Sequence, residues 1–209
     1  MAAPRRTFRA QSLLAIAALL SVQLGSARTR ADEAQDKSRL FARRTALLIE
    51  NFTRYIEWPA SALQENGPFV LCLQGSSETA EELNRVAGIV KFKKRPTAVR
   101  RVRPGDDLGS CHLLYLAPSE KGRLAQIVLA LSDHAVLIVS DNPGFVEHGV
   151  HFNFFPVVRS SPTPGTYPQF EWSVPAVSRS KLLIAPLLLR QGRGVEPTSS
   201  GDGARPPGP

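Results

Sequence analysis

Between residues 33 and 56 apolar side chains return at helical spacing. Leu40, Ala46 or Leu47, Leu48 and Phe52 form a stripe that Ile49 and Ile56 widen. Arg39, Arg43, Arg44, Glu50 and Arg54 fill the opposite face. The pattern predicts one long helix, stopped before Pro59 because the residue ahead of a proline resists helical geometry. The periodicity then changes. "FVLCLQ" (69–74) is almost unbroken apolar and predicts a strand over 68–74. Ser76, Ser77, Leu83, Val86 and Gly88 predict a helix with a serine cap and a glycine stop. A poorly alternating strand follows at 97–102, then a strongly apolar one at 111–117. Ser119 after Pro118 opens a helix to residue 131. "AVLIVS" (135–140) is another apolar strand, broken by Asp141, Asn142, Pro143 and Gly144.

Short, wholly apolar strands that alternate with helices indicate a parallel sheet covered on both faces. The C-terminal part is built differently. Apolar runs at 150–158 and 169–174 flank "RSSPTPGTYP", which suits an antiparallel hairpin with a long loop. Residues 181–189 read as a last helix that Pro186 kinks or shortens. The fold class expected is therefore α/β: a single domain with a mixed, mostly parallel sheet of five or six strands, flanked by helices, and an antiparallel hairpin near the C-terminal end. The domain runs from residue 28 to 190. Residues 191–209 lack a core-forming pattern and are expected to be disordered.

The first residues set the location. Arg5, Arg6 and Arg9 precede the apolar run 10–24, and Gly25 and Ala27 are small residues suited to cleavage after Ala27. Residues 1–27 thus read as a signal peptide, and an uncleaved anchor is the alternative. The apolar run is short of the roughly 20 residues that span a bilayer. "RRTF" at 5–8 leaves Sec and twin-arginine export both open. The chain carries 26 Lys and Arg against 18 Asp and Glu. Seven of the cations lie in "KFKKRPTAVRRVR" (91–103). In an exported protein such a run is a solvated edge or a contact for lipid headgroups or an acidic partner, and nucleic acid is not an expected partner.

Export also gives the two cysteines a meaning. Cys72 and Cys111 are the only pair, each in a strand-like run, and an oxidising compartment makes them a disulfide. A Cys111–His112 nucleophile is disfavoured, because neighbours on a strand point to opposite faces. His148 and His151 make only a fragment of a metal site. "LQGSS" (73–77) follows a strand and opens a helix, where an anion could sit, but it lacks the glycine pattern of a dinucleotide site and the lysine of a P-loop. Asp106 and Asp107 read as a turn. No catalytic residues, metal ligands or cofactor-binding residues are expected, and the residues do not support an enzyme.

Several segments, in order over residues 41–190, resemble the YfiR family of exported regulators. They are Tyr55-Ile56-Glu57-Trp58-Pro59, Cys111-His112-Leu113-Leu114-Tyr115-Leu116, Val136 to Asp141 with Gly144-Phe145, Gly149 to Phe154, Phe170-Glu171-Trp172-Ser173 and Ser180-Lys181-Leu182-Leu183. Ser173 stands where the family has Asn. Phe145 and Phe152 stand where well-known members carry a further cysteine pair. The resemblance implies a periplasmic protein without catalysis that restrains a membrane-bound diguanylate cyclase, and so modulates cyclic-di-GMP signalling and biofilm behaviour. Another membrane sensor is a partner open to the same family. A periplasmic small-ligand sensor, with a pocket at the strand ends, is the alternative reading.

Trp58 either fixes the helix end on the sheet or faces the partner. The hairpin 150–174 holds Phe152, Phe154, Phe155, Tyr167, Phe170 and Trp172, six of the chain's fifteen aromatics. Alternation puts Phe152 and Phe154 on one face and Phe155 on the other. Either the helix 181–189 buries these rings or some face outward. Phe155 and Tyr167, with Trp58, are the candidate contacts for a partner or for a second copy of the chain.

Overall fold

Helix α1 covers residues 32–52 and ends in a 3-10 turn at Thr53–Tyr55. The computed structural model describes residues 32–196. Residues 1–27, expected to be a signal peptide, and residues 197–209 at the end of the tail lie outside the described residues. By its contacts the chain divides into two units, one ending at Leu40 and one beginning at Phe41. Of the first, residues 32–40 are exposed helical turns. All that follows concerns the second.

The buried stripe of α1 is Ala42, Thr45, Ala46, Ile49, Phe52 and Thr53, at helical spacing. Of the leucines expected there, Leu48 packs at its margin, whereas Leu40 is 47% exposed and Leu47 is 44% exposed. Small residues at 42, 45 and 46 let the helix axis approach the sheet, which large leucines would hold away.

Seven strands form one sheet in the order β3-β2-β4-β5-β6-β7-β9. They are β2 (Phe69–Gln74), β3 (Thr97–Val102), β4 (Leu113–Leu116), β5 (Leu137–Ser140), β6 (Phe152–Arg159), β7 (Gly165–Ser173) and β9 (Arg193–Val195). Pairing is parallel from β3 through β6, antiparallel between β6 and β7, and parallel between β7 and β9. A separate two-stranded piece joins β1 (Ile56–Glu57) to β8 (Leu183–Ile184) antiparallel. The helices are α2 (Glu78–Ala87), α3 (Leu124–Ala130), α4 (Val174–Arg179) and α5 (Pro186–Leu189).

Each central strand divides its side chains between two cores. Leu71, Leu73, Leu113, Tyr115, Leu137 and Val139 join Ile49, Phe52 and Leu83 on one face. Cys72, Leu114, Leu116 and Ile138 join Leu124 and Ile127 of α3 on the other. Burial on both faces is why these strands read as unbroken apolar runs.

The C-terminal part corrects the sequence reading. Residues 181–189 are not one helix. Leu183 and Ile184 pair with Glu57 and Ile56 as strand, and Pro186 starts a separate single turn. Proline lacks the N–H that a continuous helix needs, so it serves as the first residue of a new one. Ordered structure also continues beyond residue 190, since β9 adds to the sheet edge through Glu171↔Arg193 and Ser173↔Val195. The hairpin loop is shorter than expected, because Thr166, Tyr167 and Pro168 pair with Val158, Val157 and Pro156.

Candidate partner-binding site

Trp58 lies between the first helix and the sheet and is 8% exposed. Its ring meets Phe69 edge-on at 5.3 Å, and its Nε1–H donates to the His112 carbonyl at 3.0 Å. Lys93 passes 5.9 Å from the indole centre and donates to the Ile56 carbonyl at 2.9 Å. The indole is thus an anchor of the helix end, with its polar atom satisfied inside the fold.

The hairpin sorts its rings. Phe152 and Phe154 are fully buried, and both touch Phe52 of α1, at 5.3 and 5.2 Å. Phe170 is 4.6 Å from the same ring. The first helix therefore covers this face, and Leu182 and Leu188 of the last segment join the same core. Phe155 and Tyr167 remain half-buried.

Tyr167 occupies an organised position. The Arg44 guanidinium lies 4.2 Å from its ring centre and that of Arg159 lies 5.3 Å away. Arg44 also donates to the Thr166 carbonyl. Arg44, Leu47 and Asn51 from α1 face Arg159, Tyr167 and Pro168 across an open groove. Val158, 77% exposed, lies on the same hairpin. Cation–π contact holds the tyrosine in place while leaving part of it accessible. The groove brings two guanidinium groups and a phenol to one apolar surface, a set that suits contact with protein. Arg44 and Arg159 were not singled out in the sequence, where Arg44 reads only as part of a solvated helix face. Trp58 stands apart from this groove, in the core.

Cys72 and Cys111 form a disulfide, with Cα atoms 5.8 Å apart. It ties β2 to the segment entering its neighbour β4, within the core beneath α3. Phe145 and Phe152 enter opposite cores.

The strand order makes β2 and β4 the topological switch point, where α/β sheets usually bind ligands beyond the strand ends. Here that crevice is filled. Gln74 Nε2 donates to Glu120 at 3.1 Å, and a Cβ on Gly75, whose φ is +79°, would lie 2.5 Å from Ser119 Oγ. Beside it, the Tyr115 hydroxyl donates to Asp141 at 2.6 Å and lies 2.7 Å from Ser77 Oγ. Thr79 donates to the second Asp141 oxygen at 2.5 Å. Burial, then the Asp141 charge, pushes the Tyr115 pKa up, so the phenol stays protonated.

The basic run 91–103 is largely engaged within the fold. Arg95 donates to the Gly67 carbonyl at 3.1 Å, Arg101 pairs with Glu81 at 2.7 Å, and Arg100 reaches Ser110 at 2.6 Å. Much of it lies on edge strand β3, where cations discourage pairing with another chain.

His112 and His151 are buried, whereas His148 is exposed. Nδ1 of His112 accepts from the Val70 N–H at 2.7 Å, and Nδ1 of His151 from the Ile138 N–H at 3.1 Å. Nδ1 therefore carries no proton in either ring, and the hydrogen lies on Nε2. For His112 that hydrogen goes to the Ala62 carbonyl at 2.9 Å. Burial lowers the pKa of both, that of His151 to about 4.

On β7, Glu171 is buried and held by Asn153 at 3.3 Å and by Arg193 at 2.5 Å. Ser173 caps α4, its Oγ accepting from the Ala176 N–H at 3.4 Å. Serine is among the residues that cap helices best.

The sequence profile of the YfiR/HmsC-like family matches residues 42–193. The chain belongs to this family. No curated protein matches it significantly.

Proposed function

We propose that this chain is an exported periplasmic binding protein that restrains a membrane-bound signalling partner, a diguanylate cyclase, and thereby lowers cyclic-di-GMP synthesis in the cell. The observation that carries this reading is the family match, which extends from α1 to β9. The residues support a role by contact. The crevice at the switch point is closed by Gln74, Ser119 and Glu120, and the buried Tyr115–Asp141 pair is occupied in internal hydrogen bonds. The groove at Tyr167 offers an aromatic and guanidinium surface for the partner's periplasmic part or for a second copy of the chain.

Export is integral to this reading, with residues 1–27 as the signal peptide. The test is deletion of the gene and complementation in cells that carry a membrane diguanylate cyclase. Deletion raises cyclic-di-GMP, the full chain restores it, and a chain lacking residues 1–27 does not. Unchanged cyclic-di-GMP on deletion, or full rescue by the unexported form, would contradict the proposal.

A further inference from the structure

His112 and His151 accept a neighbouring strand's N–H in the same way, yet they differ at the other ring nitrogen. The Nε2–H of His112 is taken by the Ala62 carbonyl. The Nε2–H of His151 meets no acceptor among the described residues, although the side chain is only 7% exposed. This N–H is not sealed in the core but opens onto a cavity, where it is free to donate to a bound acceptor.

His151 lines a cavity of about 100 Å³ beneath α3 and α4. Val128, Leu131, Ile138 and Ala176 supply apolar wall, and Arg179 stands among the lining residues with no carboxylate beside it there. Arg179 makes no ion pair or hydrogen bond with any described residue, so its charge is available. Gly149 also lines the cavity. Its φ is +97°, and a Cβ there would lie 2.7 Å from Val128, so the wall requires glycine at this point.

We propose that this cavity binds a small monocarboxylate, its carboxylate held by His151 Nε2–H and Arg179 and its short alkyl part against Val128 and Ala176. One fixed neutral donor, one cation and apolar walls, with Ser132, His134 and Ser180 also in the lining, match an anion with an apolar tail. The cavity is small, so the tail is short. The site lies at the amino ends of β5 and β6, opposite the end where such sheets usually bind. It stands independently of the proposed partner.

The test is titration of the mature, exported protein with acetate, propionate and butyrate, following the His151 ring by nitrogen-detected NMR. Propionamide serves as the uncharged comparator. The Nε2 and Hε1 signals of His151 shift and saturate with the acid, and weaken about tenfold in affinity when the charge is lost in Arg179→Gln. Ala176→Leu fills the cavity and abolishes the shift. Arg179 is exposed, so its variant retains the fold even if Ala176→Leu does not. An unmoved His151 signal at tens of millimolar acid, or equal titration of wild type and Arg179→Gln, would overturn the site. So would equal response to propionamide.

Discussion

His112 and His151 occupy equivalent positions at two seams of the sheet. Each lies immediately before a parallel strand, donates its own N–H to the neighbouring strand and accepts that strand's N–H on Nδ1. The pairs are His112 with Val70, at 2.9 and 2.7 Å, and His151 with Ile138, at 3.0 and 3.1 Å. The imidazole thus completes the ladder where the parallel pairing of β2 with β4, and of β5 with β6, begins.

That arrangement makes stability depend on pH. Both rings are neutral in the fold, with pKa values lowered below the ordinary value of about 6.5. The unfolded chain therefore binds more protons as pH falls below about 6.5, and stability is lost from there down to the folded value of about 4 for His151. Protonation of His151 alone accounts for a loss of about 3 kcal/mol over that window. Urea midpoints fall steadily between roughly pH 7 and pH 4.5, and His151→Asn flattens the slope. A midpoint constant over this range would show that the rings are not held neutral.

The disulfide closes a loop with a sequence separation of 39. On the chain-entropy account that closure is worth about 4 kcal/mol. Purified exported protein gives no free-thiol reaction until reduced, and reduction lowers the unfolding midpoint while the circular dichroism spectrum persists. Two reactive thiols in native, unreduced protein would contradict the bond.

Tyr115→Phe removes the hydroxyl that lies between Asp141 and Ser77. Asp141 then keeps Thr79 as its remaining side-chain donor in this group. A loss of about 1–3 kcal/mol follows, measured by denaturant unfolding. Thr79→Val, which leaves the Tyr115 bond intact, has a smaller effect.

Phe52 is the ring on which Phe152, Phe154 and Phe170 converge. Phe52→Ala opens a cavity between the first helix and the hairpin and costs about 3–5 kcal/mol. Leu47→Ala, one turn away and 44% exposed, costs far less. Equal losses for the two would place the helix face wrongly.

Much of the sheet was legible because β2, β4 and β5 are buried on both faces, and few other short segments are so uniformly apolar. The segment 181–189 was misleading for the opposite reason. Its leucines suggest a core helix, yet Leu183 is 71% exposed and Leu187 is 59% exposed. Its conformation is decided by pairing with Ile56 and Glu57, far away in the chain. "RGV" (193–195) has no strand pattern of its own, and its place depends on β7 and on the Arg193–Glu171 pair. The Tyr167 groove was half visible. The aromatic density of the hairpin marks Phe155 and Tyr167, but the Arg44 clamp requires α1 and the hairpin to meet, which no local spacing encodes.

The central claim is that the exported protein restrains a membrane cyclase through the hairpin surface at Tyr167 and Phe155. The most direct measurement is cyclic-di-GMP in cells that express a membrane diguanylate cyclase together with wild type, Tyr167→Glu or Phe155→Glu, alongside co-purification of the cyclase from solubilised membranes. The account predicts that both variants accumulate as folded protein, capture less cyclase and raise cyclic-di-GMP toward the level of the deletion. Folded variants that capture the cyclase as well as wild type and leave cyclic-di-GMP unchanged would contradict it.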